Sequence, residues 1–154
     1  MTHPALRSLL SRGADPAPAI SAPGRRPLSF QALRALIDRT LSDLNALGIG
    51  RNERVAIVLN NGPEMATCFA ACACGVTSAP LNPAYRHDEF EFYLSDLHAK
   101  ALIVEQGSAS PAIGVAEALG IRVLDLVASP EDAAGSFTLV PRDGRAGGGL
   151  REPV

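Results

Sequence analysis

Apolar and polar positions alternate along this chain in two distinct rhythms. From residue 33, Leu33, Leu36, Ile37, Leu41, Leu44 and Leu47 recur at helical spacing, after Ser29 as N-cap and before Gly48 as closing glycine. "VAIVL" (55–59) then runs without a polar break, the mark of a strand covered on both faces. After the turn "NNG", Pro63 suits the first turn of a helix that continues through "EMATCFAACACG" to Gly75. "TSAPL" (77–81) reads as a second strand. Asp88 to His98 read as a helix with Phe90, Tyr93, Leu94 and Leu97 on one face. "ALIVE" (101–105) is a third strand, "PAIGVAEALG" a weak helix ending at Gly120, and "IRVLDLV" (121–127) a fourth strand.

Ahead of this series the pattern is less regular. Residues 4–12 read as a short helix with Leu6, Leu9 and Leu10 on one side. "GADPAPAISAPGRRPLSF" reads as short strands near 18–21 and 27–29 around a turn at Pro23-Gly24. Alternating strands and helices at this spacing imply βαβ units, hence an α/β fold with a mainly parallel sheet flanked by helices. The pattern dissolves after Val127. The expected organisation is an N-terminal segment (1–17), an α/β subdomain (18–127) and a flexible Gly/Pro-rich tail (128–154).

Composition narrows the function classes. With 154 residues, 47% apolar and 19% charged, the chain has the size and balance of about one globular domain that folds without disulfides or metal. A net charge of -2 and scattered arginines give no phosphate-tracking surface, so no nucleic-acid partner is expected. Lys100 is the single lysine, which excludes any mechanism needing two from this chain alone. No apolar run approaches about 18 residues, so no membrane span is expected. The start lacks a signal-peptide core and "REPV" carries no lipidation or peroxisomal address; a reducing cytoplasm is the expected location.

Candidate chemistry is sparse. Cys68, Cys72 and Cys74 lie close together, but only the first two share a helix face and no histidine lies within ten residues of the group. Tetrahedral zinc needs four such ligands, so the expected role is packing, with no metal site. His87 and His98 lie near Asp88 and Asp96, but a His–Asp pair needs a nucleophile in reach. "DEFE" (88–91) puts carboxylates in a first helical turn, where they complement the helix dipole. "RAGGGLRE" lacks the strand before and the helix after that a phosphate loop needs. "NNGPE" (60–64) and "NPAYRH" (82–87) leave parallel strands and open helices, the places where α/β sheets take ligands.

The ordered set "LSFQAL", "RVAIVLNNGPE", "CGVTSAPLNP" and "EFEFYLSDLHAKALIVE" resembles the N-terminal portion of the AMP-forming acyl-CoA synthetases, the acyl-adenylate-forming superfamily. "APLNPAYRHDEFEFYLSD" is especially similar to the oxalate–CoA ligase branch. The resemblance covers residues 18–106 well. It implies a parent enzyme that uses ATP and Mg2+ to make an acyl-AMP, which CoA then converts to a thioester. It also places Asn82, Pro83, Tyr85 and Arg86 at an edge near the CoA nucleotide.

The family's phosphate loop, adenine-binding segment, ribose-binding aspartate and late catalytic lysine have no counterpart here. On the resemblance, the chain stops about where the phosphate loop begins. The expectation is therefore a fragment without catalytic residues, inactive alone and binding no cofactor tightly. Its natural partner would be the remaining C-terminal portion of the same enzyme, with weak homodimerisation through apolar surface left uncovered. The alternative is a stand-alone nucleotide- or CoA-binding α/β module; an unrelated flavodoxin-like or sugar-binding domain would want a better phosphate loop after its first strand than "NNGPE".

Overall fold

The computed structural model describes residues 5–142. A short helix α1 (Leu6–Leu10) precedes a small antiparallel pair, β1 (Pro18–Ile20) and β2 (Leu28–Ser29). The series then runs α2 (Phe30–Ala46), β3 (Arg54–Val58), α3 (Pro63–Ala73), β4 (Thr77–Pro80), α4 (His87–Leu97), β5 (Ala101–Glu105), α5 (Pro111–Ala118), β6 (Arg122–Val127) and β7 (Thr138–Pro141). The main sheet has the order β4-β3-β5-β6-β7; the first four strands are parallel and β7 is antiparallel to β6.

Local chemistry sets the helix ends. The Ser29 hydroxyl accepts from the Ala32 amide at 3.1 Å, which caps α2. Gly48, at φ +79°, takes the left-handed conformation beyond its last turn. Pro63 sits in the first turn of α3, where a missing amide costs nothing. The α4 helix begins one residue before its expected start, at His87, because the Glu89 carboxylate reaches back to the Arg86 amide at 2.8 Å.

Two apolar layers hold the sheet. On one face Val55, Ile57, Ala101, Ile103, Leu124 and Leu126 pack with Leu33, Leu36, Ile37 and Leu44 of α2 and Cys68, Ala71 and Cys72 of α3. On the other, Ala56, Val58, Leu102, Val104 and Val123 meet Phe90 and Leu94 of α4 and Ala112, Val115 and Ala116 of α5. Strands buried on both faces explain the unbroken apolar runs at β3 and β5. Of the expected α4 face, Phe90 and Leu94 are fully buried, while Tyr93 and Leu97 are half-buried.

One expectation is corrected. The segment after Val127 was expected to lose all pattern and lie as a flexible tail, yet it carries β7, and Ala134 and Phe137 ahead of that strand are buried. The ladder runs from Val127↔Thr138 to Leu124↔Pro141, so a short edge strand closes the sheet beyond β6. Its connection is held by two side chains and one main-chain bond. Thr67 donates to the Gly135 carbonyl at 2.6 Å, Arg39 to the Phe137 carbonyl at 2.9 Å, and the Ala134 amide donates to the Arg26 carbonyl at 2.8 Å. The rest of the expected tail, with its "RAGGGLRE" run, lies outside the described residues.

Candidate functional site

The parallel strands β3, β4, β5 and β6 bring four connections to one edge: 59–62, 81–86, 106–110 and 128–137. Ligands of open α/β sheets lie along such a carboxyl edge. The cleft there, about 240 Å³, is lined by Glu64, Glu105, Gln106, Leu126 and Ala128. "NNGPE" delivers Glu64 to it from the first turn of α3. The Glu64 carboxylate pairs with Arg25, whose other terminal nitrogen donates to the carbonyls of Ser129, Asp132 and Ala133 at 3.1, 3.3 and 3.3 Å. One guanidinium thus joins the β1–β2 turn, the start of α3 and the β6–β7 connection.

The second turn has its own order. The Asn82 side-chain oxygen accepts from the Ala84 amide at 2.9 Å, and the Tyr85 amide donates to the Asn82 carbonyl at 3.1 Å. Those bonds lift Tyr85 against α4, where its ring stacks on Tyr93 at 5.0 Å and meets Phe90 edge-on at 5.8 Å. Asn82, Pro83 and Arg86 are exposed beside this aromatic stack. All four residues singled out from the sequence therefore share one turn at the carboxyl edge. They do not line the cleft at Glu64, which lies on the far side of β3.

The remaining candidates separate from this edge. His87 sits 3.8 Å from Glu91, its neighbour one turn along α4, with both side chains more than 60% exposed. His98 takes a left-handed backbone, φ 51°, at the end of α4, with its ring nitrogen 3.1 Å from the Asp96 carbonyl. The two histidines belong to opposite ends of one helix. Cys68 and Cys72 are buried between α3 and the sheet, and Cys74 is half-buried. A hydrogen bond with Cys72 and then burial push the Cys68 thiol well above its ordinary value, and burial raises the Cys74 thiol. Thiolates are the reactive form, so Cys68 and Cys74 should react slowly near neutral pH, and Cys72 is shielded by its burial. Maleimide labelling is expected at Cys74 first, with Cys68 and Cys72 modified only in denaturant; rapid native labelling of Cys68, read by peptide mass, would contradict this packing.

Among the described residues no group of three or more His, Cys, Asp or Glu is placed to hold a metal ion. Nor does the α3 start fit a triphosphate. Pro63 removes one amide, and Glu64 sets a carboxylate where an anion would sit. Arg25, Thr67, Glu105 and Gln106 were not singled out from the sequence. Nothing local in the sequence shows that Arg25 reaches residues more than a hundred positions away.

A parallel sheet clothed by helices on both faces, with polar turns gathered at its carboxyl edge, defines the class of open α/β ligand-binding folds. Within that class the chain belongs to the AMP-binding enzyme family, whose model matches residues 11–143. It is similar to the oxalate–CoA ligase of Arabidopsis thaliana, 35% identical over 127 residues, covering 81% of this chain and 24% of that one. The oxalate–CoA ligase of Saccharomyces cerevisiae is 42% identical over 59 residues, covering 38% of this chain and 11% of that one. Apo MatB from Rhodopseudomonas palustris shares the fold, with TM-score 0.71 and 22% identity over 90% of this chain and 30% of that one. The chain spans about a quarter of the length of the curated relatives it matches, and the match is to the N-terminal part of acid–CoA ligases.

Proposed function

We propose that this chain serves as the N-terminal subdomain of an ATP-dependent acid–CoA ligase, which adenylates a carboxylate and passes the acyl group to CoA. The observation that carries the reading is the family match over residues 11–143, supported by similarity to oxalate–CoA ligases. A carboxylate is a poor acyl donor, and an acyl-AMP supplies the leaving group that the CoA thiol displaces. ATP, Mg2+ and CoA are the cofactors that the family match implies for the whole enzyme. The chain alone is proposed to be inactive, to reside in the cytoplasm, and to have the remainder of the enzyme as its partner. No helix among the described residues is long and apolar enough to cross a membrane.

Asn82, Pro83, Tyr85 and Arg86 are proposed to meet the CoA nucleotide. Arg86 supplies a cation and Tyr85 a braced ring at one turn. A second reading, a stand-alone nucleotide- or CoA-binding module, is favoured by one feature: both faces of the sheet are already covered within this chain. A chimera separates the two. Residues 11–143 replace the matching part of the Arabidopsis oxalate–CoA ligase, and thioester formation is assayed. The ligase reading expects measurable thioester, with Arg86→Ala raising the KM for CoA several-fold at unchanged KM for ATP. A folded chimera that forms none would rule against it, and a KM for CoA indifferent to Arg86→Ala would remove the CoA edge.

A further inference from the structure

The chain holds five asparagines, at 45, 52, 60, 61 and 82. The side-chain amide of an asparagine can be attacked by the main-chain nitrogen of the next residue. That nitrogen must carry a hydrogen, be free of hydrogen bonds, and be reachable past the next residue's side chain.

Four of the five fail one of these conditions. Asn45 precedes Ala46 inside α2, where the amide belongs to the helical ladder. Asn52 precedes Glu53, whose amide donates to the Gly50 carbonyl at 3.1 Å. Asn60 precedes Asn61, whose Cβ crowds the nitrogen. Asn82 precedes Pro83, whose nitrogen has no hydrogen, and its side-chain oxygen already accepts from the Ala84 amide.

Asn61 meets all three. It and Gly62 are exposed in the turn between β3 and α3. Gly62 has no Cβ, and its amide makes no hydrogen bond among the described residues. The reason is local. Gly62 is the N-cap of α3, where a glutamate three residues on would hold the amide, as Glu89 holds the Arg86 amide at the start of α4. In α3 that place belongs to Met65. Pro63 keeps Gly62 extended, at φ 163°, so its amide stays outside the helix.

We propose that Asn61 is a site of spontaneous modification, in which ring closure with Gly62 converts it to aspartate and isoaspartate. The Gly62 nitrogen gives its proton to solvent base and bonds to the side-chain amide carbon of Asn61, and ammonia leaves. Water then opens the five-membered imide at one carbonyl or the other. One opening gives aspartate; the other routes the main chain through Cβ, as isoaspartate. Both products place a new carboxylate ahead of Glu64, and isoaspartate lengthens by one bond the turn that brings Glu64 to Arg25. The inference does not depend on the ligase reading.

The test incubates the whole 154-residue chain in mildly alkaline buffer and follows each asparagine by peptide mass spectrometry. Asn61 is expected to convert at least about tenfold faster than Asn60, its neighbour in the same exposed turn. The rate should rise with pH, because the attacking nitrogen must lose its proton. Gly62→Ala is the decisive variant. The added Cβ would meet only the Glu64 Oε2, at 3.9 Å, so the fold has room for it. It crowds the nitrogen, and conversion at 61 should slow about tenfold. Asn61 converting no faster than Asn60 overturns the proposal, as does an unchanged rate in folded Gly62→Ala or a rate indifferent to pH. If Gly62→Ala does not fold, the ranking of Asn61 against Asn60 in the parent chain decides alone.

Discussion

Gly135→Val is expected to destabilise the chain by about 3 kcal/mol and to free the β6–β7 connection, through strain at a left-handed backbone together with a steric clash. Gly135 sits at φ +84°, where a β-branched side chain is strained whatever space it has. The space is also missing. A Cβ there would stand 2.5 Å from the Thr67 methyl carbon and 3.1 Å from the Pro63 carbonyl oxygen. Thr67 is fully buried and cannot retreat without losing its 2.6 Å bond to the Gly135 carbonyl. Gly114→Ala is the matched control. It lies inside α5 with nothing within 4 Å of the added carbon, and a helix-interior glycine exchanged for alanine should gain about 0.5–1 kcal/mol. Urea denaturation of both variants checks the pair, and a Gly135→Val cost under about 0.5 kcal/mol, the scale of an inert surface change, would show that the connection is not held as described.

Much of the fold was legible because burial on both faces forces particular sequences. β3 and β5 need apolar side chains toward both helix layers, so 55–58 and 101–104 carry no polar residue. Helix ends were equally visible where one residue type solves one local problem: Ser29 as cap, Gly48 at positive φ, Pro63 in a first turn. β7 was missed for the opposite reason. It is an edge strand of four residues, half-exposed on alternate positions, and it contains a proline among glycine- and proline-rich neighbours. Its evidence lies in partners such as Asp125 and Leu126, and in a hairpin-like return far longer than a tight turn.

The candidate site divides along the same line. The turns after β3 and β4 follow from the βαβ reading, and Asn82, Tyr85 and Arg86 fall on one of them. Their proposed place at a CoA edge rests on resemblance to a family, since the turn's own bonds among Asn82, Ala84 and Tyr85 serve its shape. The Arg25 junction had no local signal. A guanidinium bonded to main-chain carbonyls imposes no residue type on its partners, so nothing in the Ser129 to Ala133 stretch advertises it.

That junction yields the other large expected effect. Arg25→Ala should cost about 3 kcal/mol, because removing one member of a mostly buried ion pair leaves the other charge without compensation. The Arg25 and Glu64 side chains are only 16% and 21% exposed. The deletion strands the Glu64 carboxylate and also removes the donor shared by the carbonyls of Ser129, Asp132 and Ala133. Arg25→Lys keeps the charge but is expected to recover less than half of the loss, since an ammonium lacks the planar fork that reaches both sides. Arg7→Ala provides the contrast. Arg7 pairs with Asp38, but those side chains are 52% and 56% exposed, and solvent-exposed pairs are worth at most about 1 kcal/mol. Added salt should weaken the Arg7 pair and leave the Arg25 pair nearly unchanged, because buried charges are poorly screened. In hydrogen exchange the Arg25→Ala variant should lose protection at the Ala134 and Ser136 amides, whose acceptors are the carbonyls of Arg26 and Ala133, while β3 and β5 keep theirs. Equal urea midpoints for Arg25→Ala and Arg7→Ala would sink the idea that one arginine ties the β1–β2 turn, α3 and the β6–β7 connection together.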